Sequence, residues 1–299
     1  MLAPIVLFVY KRLSHTRETL EAINRNHLAD ESELFIFSDA ASTDENQKAV
    51  ADVRSYIKDF SQNSNFKQVH IMNAEEHKGL SRSIISGVTQ VINRFGKVIV
   101  LEDDIVTAHG FLKYMNQALD FYEENEMIWS ISGCAFPLKA LDDYSYDVYL
   151  NYRTSSWSWA SWKNRWDRMD WDVSDFAEFK KDKKRIKEFC KGGEDLFQML
   201  CRQMNGEIDS WAIRWCYQQY KEGMFTIYPR ESFIVNIGFD GSGTHGKAAY
   251  EFASLRIERD YEFVHPELSL ALMEEARKFN SVAIVQKIKN RLLRIVNDR

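Results

Sequence analysis

Proline and glycine are scarce in this chain, 4 and 13 of 299 residues, which excludes collagen-like and linker-rich designs. Cysteine is as rare, and Cys134, Cys190, Cys201 and Cys216 form no C-x-x-C pair. A zinc or dithiol motif is therefore not indicated, and a reducing, cytoplasmic setting is the expectation. No apolar run approaches the roughly 18–20 residues that a membrane-spanning helix needs. The start, Met1 to Tyr10, has no basic stretch ahead of its apolar residues, so it reads as a first strand and not as an export signal. An excess of positive charge is also missing. Lys and Arg number 39 against 44 Asp and Glu, a net charge of −5, which argues against bulk attraction to nucleic acid. What the chain does have is apolar material. Hydrophobic residues make up 45% and aromatics 13%, enough to exclude disorder over most of the length. The length suits one large α/β domain or two small ones.

Apolar runs and helical patterns alternate through the first hundred residues. Ile5–Val9, Leu34–Phe37, Val69–Met72 and Val98–Leu101 read as buried strands. Between them, Ser14 offers an N-cap for a helix through Leu20 and Ile23. Asp44 opens a helix carrying Val50, Val53 and Ile57, and a third helix covers Gly79–Ile92. This alternation predicts an α/β fold, a mostly parallel sheet flanked by helices on both faces. Beyond residue 106 the pattern changes. A helix over Phe111–Tyr122 and a strand over Ile128–Ser132 lead to a tryptophan cluster. Within it Trp159, Trp162 and Trp166 fall at helical spacing, which predicts a helix packing that stripe on the core. Residues 172–194 read as a solvated helical insert. A helix follows Asp209, short strands lie near Phe225–Tyr228 and Phe233–Ile237, and 266–299 read as helical.

The sharpest chemical feature is Glu102-Asp103-Asp104, three carboxylates closing an apolar strand. In an open parallel sheet, ligands bind beyond the carboxyl ends of the strands. Adjacent acids repel one another there unless a cation is present. In extended geometry Glu102 and Asp104 face one way and Asp103 the other. One carboxylate can then hold Mn²⁺ or Mg²⁺, which shares its shell with waters and phosphates. The plainer reading is an acidic surface turn. Lys11 and Arg12 follow the first strand, and Asp39 ends the second, where it serves equally well as a helix cap. Gly79 leads a helix that carries Arg82 one turn in, a place that suits phosphate. Asp209 precedes Trp211 at another helix start, as general base or as N-cap, with Glu207 as its local rival.

These motifs, in this order, resemble the GT-A-fold glycosyltransferases, the Rossmann-like nucleotide-diphospho-sugar transferases. The Glu-Asp-Asp form is similar to the N-acetylglucosaminyltransferase I-like group, and the layout to family 2-like bacterial enzymes. The resemblance covers most of residues 3–247. It implies that Asp104 binds the metal, Asp103 meets the ribose and Glu102 contacts the donor sugar. It further implies that Arg12 reaches the diphosphate, that Asp39 reads the uracil ring of a UDP-sugar, and that Asp209 is the catalytic base of an inverting transfer. Trp157 lies outside the tryptophan stripe and is a candidate for stacking on a sugar. His245, at the end of a glycine-rich loop, is a candidate for the metal or diphosphate, and Asp240 is a weaker one.

The resemblance assigns 1–106 to the nucleotide-sugar-binding half, 107–250 to the acceptor-binding and catalytic half, and 251–299 to a C-terminal helical tail. Residues 282–299 form a basic amphipathic pattern that suits an anionic membrane face, although a closing helix or a dimer contact explains it too. The implied setting is bacterial surface polysaccharide or lipopolysaccharide synthesis, cytoplasmic or peripheral on the inner face of the membrane, with a glycan or glycolipid as acceptor. A sugar-nucleotide nucleotidyltransferase is an alternative, but it would want a Gly- and Arg-rich loop where Tyr10-Lys11-Arg12-Leu13-Ser14 stands. A non-catalytic nucleotide- or glycan-binding module is another.

Overall fold

The computed structural model describes residues 1–239 and 260–280. The first half runs β1 (Ile5–Val9), α1 (Leu13–Asn24), β2 (Glu33–Ser38), α2 (Gln47–Asn63), β3 (Gln68–Asn73), α3 (Leu80–Phe95) and β4 (Lys97–Glu102). The second half runs β5 (Ile105–Thr107), α4 (Phe111–Tyr122), β6 (Ile128–Ser132), β7 (Val148–Asn151), β8 (Ser158–Trp162), α5 (Lys163–Trp166), α6 (Phe176–Phe179), α7 (Lys183–Phe189), α8 (Leu196–Met204), α9 (Trp211–Glu222), β9 (Phe225–Pro229), β10 (Ile234–Asn236) and α10 (Leu270–Phe279). Eight strands form one sheet in the order β3-β2-β1-β4-β8-β6-β9-β7, and β5 and β10 form a separate two-stranded ribbon. The expected α/β class, a large sheet flanked by helices, is what the chain adopts.

β1 consists of five apolar residues, every one buried, as a central strand covered on both faces requires. It pairs in parallel with β2 and β4, and β2 pairs in parallel with β3. Alternation along the strand feeds two cores. Ile5, Leu7 and Val9 join one cluster with residues of α1, α2 and α4, while Val6 and Phe8 join the other with α3 and α9. Beyond β4 the sheet is mixed. β8 runs antiparallel to β4 and β6, and β6 and β9 pair in parallel.

Several local expectations are corrected. Ser14 does not cap α1, since Arg12 holds the N-cap position without a side-chain cap bond. The tryptophan segment is strand β8 followed by the single turn of α5. Trp159 and Trp162 therefore point to opposite cores, and only the expectation of burial holds. Their spacing fitted a helix because the strand gives way to a turn four residues before Trp166. The 172–194 segment is helical but not merely solvated. Val173, Phe179 and Phe189 form a cluster of their own with Leu196, Leu200, Ile213 and Tyr217. Asp240, His245 and residues 281–299 lie outside the described residues. Among the described residues no helix is long and apolar enough to cross a membrane.

Candidate active site

The carboxyl ends of β1, β2 and β4 lie side by side, so the segments that follow them share one end of the sheet. Asp39 is buried there. Its Oδ1 accepts from the backbone N–H groups of Ala40 and Lys78, each at 2.9 Å. Its Oδ2 accepts from Gly79 N–H at 2.9 Å and lies 2.9 Å from His77 Nδ1. That nitrogen is also 2.9 Å from the Ala40 carbonyl oxygen. Facing only acceptors, it carries the ring proton. Asp39 thus anchors the loop entering α3 and caps no helix after β2. Gly79 turns into α3 with φ at +76°, a conformation that costs other residues a clash. The Tyr10 and His77 rings lie 5.5 Å apart and form an aromatic corner beside Asp39. Arg54, unremarkable in sequence, closes this corner from below by donating to the carbonyl oxygens of Ala74 at 2.8 Å and Asp39 at 3.3 Å.

The acidic triplet does not continue as strand. β4 stops at Glu102, and Asp103 and Asp104 form a turn into β5. The expected alternation fails for that reason, and both aspartates converge on Arg12. Its Nη2 donates to Asp104 Oδ2 at 2.8 Å and also bonds Asp103 Oδ1. Burial opposes the charge on Arg12, but the two carboxylates outweigh it and hold the guanidinium above its usual range. Burial drives the Asp103 carboxyl upward, against the pull of Arg12. Glu102 has no hydrogen-bond or ion-pair partner among the described residues. Burial, followed by the charges of Asp104 and Asp103, pushes its carboxyl up to about 8. The β5–β10 ribbon returns the chain over this turn, where Ile237 N–H donates to the Asp104 carbonyl at 2.9 Å. Gly238 follows, so close that a Cβ there would fall 2.1 Å from Asp104 Oδ2. Phe239 then meets half-buried Trp157, ring centroids 5.4 Å apart.

Asp209 lies before α9 and is exposed, at 64% for its side chain. It is not the N-cap, because Ser210 Oγ accepts the Ile213 N–H at 3.3 Å. Arg214, one turn into α9, places it. Arg214 Nη2 lies 3.3 Å from Asp209 Oδ1 and donates to Ser81 Oγ at 2.5 Å, in the first turn of α3. Its other nitrogens donate to the carbonyls of Ser210 and Trp171. Glu207 instead pairs with Arg202. Arg82, also in the first turn of α3, is exposed and has no polar partner among the described residues. The structure therefore gathers Arg12, Asp103 and Asp104 into one cluster beside Glu102, and ties Asp39 and Asp209 to the two sides of the α3 start. Arg54, Arg214 and Gly238 were not foreseen, since each acts through contacts between segments remote in sequence.

Among the described residues no group of three or more His, Cys, Asp or Glu side chains is arranged to hold a metal. The acidic turn nevertheless suits a hard divalent ion. Two carboxylate oxygens already meet at a single cationic nitrogen, and beside them the carboxyl of Glu102 has no partner among the described residues. Mg²⁺-type ions in nucleotide enzymes use one or two carboxylates, with phosphate and water completing the shell.

No protein-family model and no curated protein matches this sequence. Solved structures do match. Residues of TarS 1–349 from S. aureus align at 10% identity with a TM-score of 0.46, covering 78% of this chain and 60% of that one. A second S. aureus TarS structure gives 12% identity and 0.45, covering 78% and 36%. The mannosyltransferase PcManGT from Pyrobaculum calidifontis, in complex with GDP-Man and Mn²⁺, gives 13% identity and 0.34, covering 54% and 44%. The chain spans 36–60% of the length of these proteins, and likeness at this level concerns the course of the chain and brings neither donor nor mechanism with it.

Proposed function

We propose that this protein is a metal-dependent, inverting glycosyltransferase that moves a sugar from a UDP-sugar to a hydroxyl of a glycan or glycolipid acceptor. The observation that carries the reading is convergence. The Arg12-bridged acidic turn, the Asp39-anchored start of α3 and, through Arg214 and Ser81, Asp209 all belong to the end of the sheet where α/β folds take ligands. The motif order that resembles GT-A enzymes supplies the chemistry. In this reading residues 1–106 hold the nucleotide, 107–250 the acceptor, and 251–299 form a tail. The setting is cytoplasmic, in bacterial surface glycan synthesis, and the basic pattern at 282–299 rests on anionic lipid.

Asp104 would hold Mn²⁺ or Mg²⁺, with Asp103, which the resemblance sets on the ribose, close enough to share it, and the ion when bound supplies positive charge to the leaving diphosphate. Glu102 faces the donor sugar, and Asp39 with the Tyr10–His77 corner shapes the place of the base. Arg12, Arg82 and the free N–H groups of the α3 start face the phosphates. Asp209 accepts the proton of the acceptor hydroxyl as its oxygen bonds C1 of the sugar. The C1–O bond to phosphate breaks, and UDP leaves with the electron pair. One carboxylate base suffices here, unlike glycoside hydrolysis with its two.

A thermal-shift series with nucleotide sugars and Mn²⁺ tests the binding half. A ligand at 100 times its Kd stabilises by about 2.7 kcal/mol, so a UDP-sugar with Mn²⁺ raises Tm, and Asp104→Ala abolishes the rise. The released product tests the reaction. Free UDP supports transfer, pyrophosphate points to a nucleotidyltransferase, and absence of both with binding intact points to a binding module.

A further inference from the structure

Arg12 does more in this structure than wait for a phosphate. One of its nitrogens sits where Asp103 and Asp104 converge and bonds both. We infer that Arg12 is a resident counter-ion which competes with the divalent metal for the acidic turn, and that the nucleoside diphosphate releases it. The inference rests on the reading above, since it concerns how that same site is loaded.

Three observations lead to it. First, the turn needs a cation when no ligand is bound. Two adjacent aspartates repel, and among the described residues Arg12 is the cation that touches both. Second, the two occupants exclude each other. An Mg²⁺-type ion binds carboxylate oxygens at about 2.0–2.1 Å, closer than any N–H donor stands, so an ion held by both aspartates would compete with Nη2 for the oxygens it now bonds. Third, the returning chain at Gly238 packs close beside both Asp104 and Arg12. A Cβ at position 238 would already lie 3.1 Å from Arg12 Nη1 and 2.1 Å from Asp104 Oδ2.

An ion arriving alone therefore breaks charge-assisted bonds and leaves a mostly buried guanidinium, 19% exposed, without an anion, which is unfavourable. An ion arriving with a diphosphate gives Arg12 new anionic oxygens in exchange. Metal and nucleotide then bind cooperatively, and each raises the affinity of the other by the same factor.

The test uses Mn²⁺ and UDP as probes on the full chain, with free Mn²⁺ read by electron paramagnetic resonance. Without UDP, Arg12→Ala binds Mn²⁺ about tenfold or more tightly than the wild type, the order of one charge-assisted hydrogen bond no longer broken. With UDP present the order reverses, and the variant binds Mn²⁺ more weakly. Arg12→Lys keeps the charge but not the fork, so it falls between the two in both conditions, which covers the case of a poorly folded alanine variant. If Arg12→Ala and Arg12→Lys bind Mn²⁺ alone no better than the wild type, while the wild type still takes up Mn²⁺ with UDP, the competition is refuted and the transferase reading stands. If the wild type takes up no Mn²⁺ even with UDP, both fall together.

Discussion

Replacing Glu102 with glutamine should stabilise the metal-free protein, and more so as the pH rises. The side chain keeps its shape and loses its titration. In the native protein, burial and then the neighbouring Asp104 and Asp103 lift the Glu102 carboxyl from 4.5 to about 8. The native state thus retains a proton that the unfolded chain has released. For an acid raised in this way, wild-type stability is full below the unfolded value and declines as the pH climbs from 4.5 toward about 8. At about 1.4 kcal/mol per pH unit, that interval sets a ceiling of about 5 kcal/mol. Partial exposure of the side chain lets water reach it, so about 3 kcal/mol is the working value. Urea unfolding with a chelator, from about pH 4.5 to about pH 9, should show the two proteins alike at the acid end and Glu102→Gln ahead at the alkaline end. Curves that stay parallel across the range would mean that the carboxyl is solvated or otherwise paired, and the electrostatic account of the acidic turn would be wrong.

Asp209→Asn should leave Mn²⁺-dependent UDP binding intact and cut sugar transfer, followed as UDP release, by about 10²–10⁴-fold; near-normal release would move the base elsewhere. Gly238→Ala puts a methyl 2.1 Å from Asp104 Oδ2, so it should weaken Mn²⁺-dependent UDP binding by about tenfold or more, and an unchanged Kd by calorimetry would show that the chain at 238 yields freely. Arg153→Ala strands the carboxylate of Asp195, which the guanidinium grips at 2.7 and 2.9 Å. The expected loss is about 3 kcal/mol in urea unfolding, and a loss under about 1 kcal/mol would place that pair in water.

The parallel half was legible because its signals are local. Ile5–Val9 and Val98–Leu101 are uninterrupted apolar runs, and a strand buried on both faces has no other way to be written. The acidic triplet, Asp39 and Asp209 were legible as strand-end or helix-start acids for the same reason. What failed depended on tertiary context. Trp159, Trp162 and Trp166 match a helical period, yet the space between β4 and β6 takes Ser158–Trp162 as a strand. Extended geometry was assumed through Asp104, but Arg12 gathers both aspartates into a turn. Arg214 carries no sequence mark at all. Its partners Ser81 and Trp171 are 133 and 43 residues away, and only packing brings them together.

The helical segment between β8 and α9 has a hydrophobic cluster of its own, which includes Ile213 and Tyr217 from one side of α9, while Trp211 and Trp215 of the same helix belong to the sheet core. A single helix is thus shared by two independently packed layers. Substitution confined to the outer layer leaves the side chains of the sheet core in place, so this segment can change its sequence or take grafted loops while the sheet beneath it stays as it is.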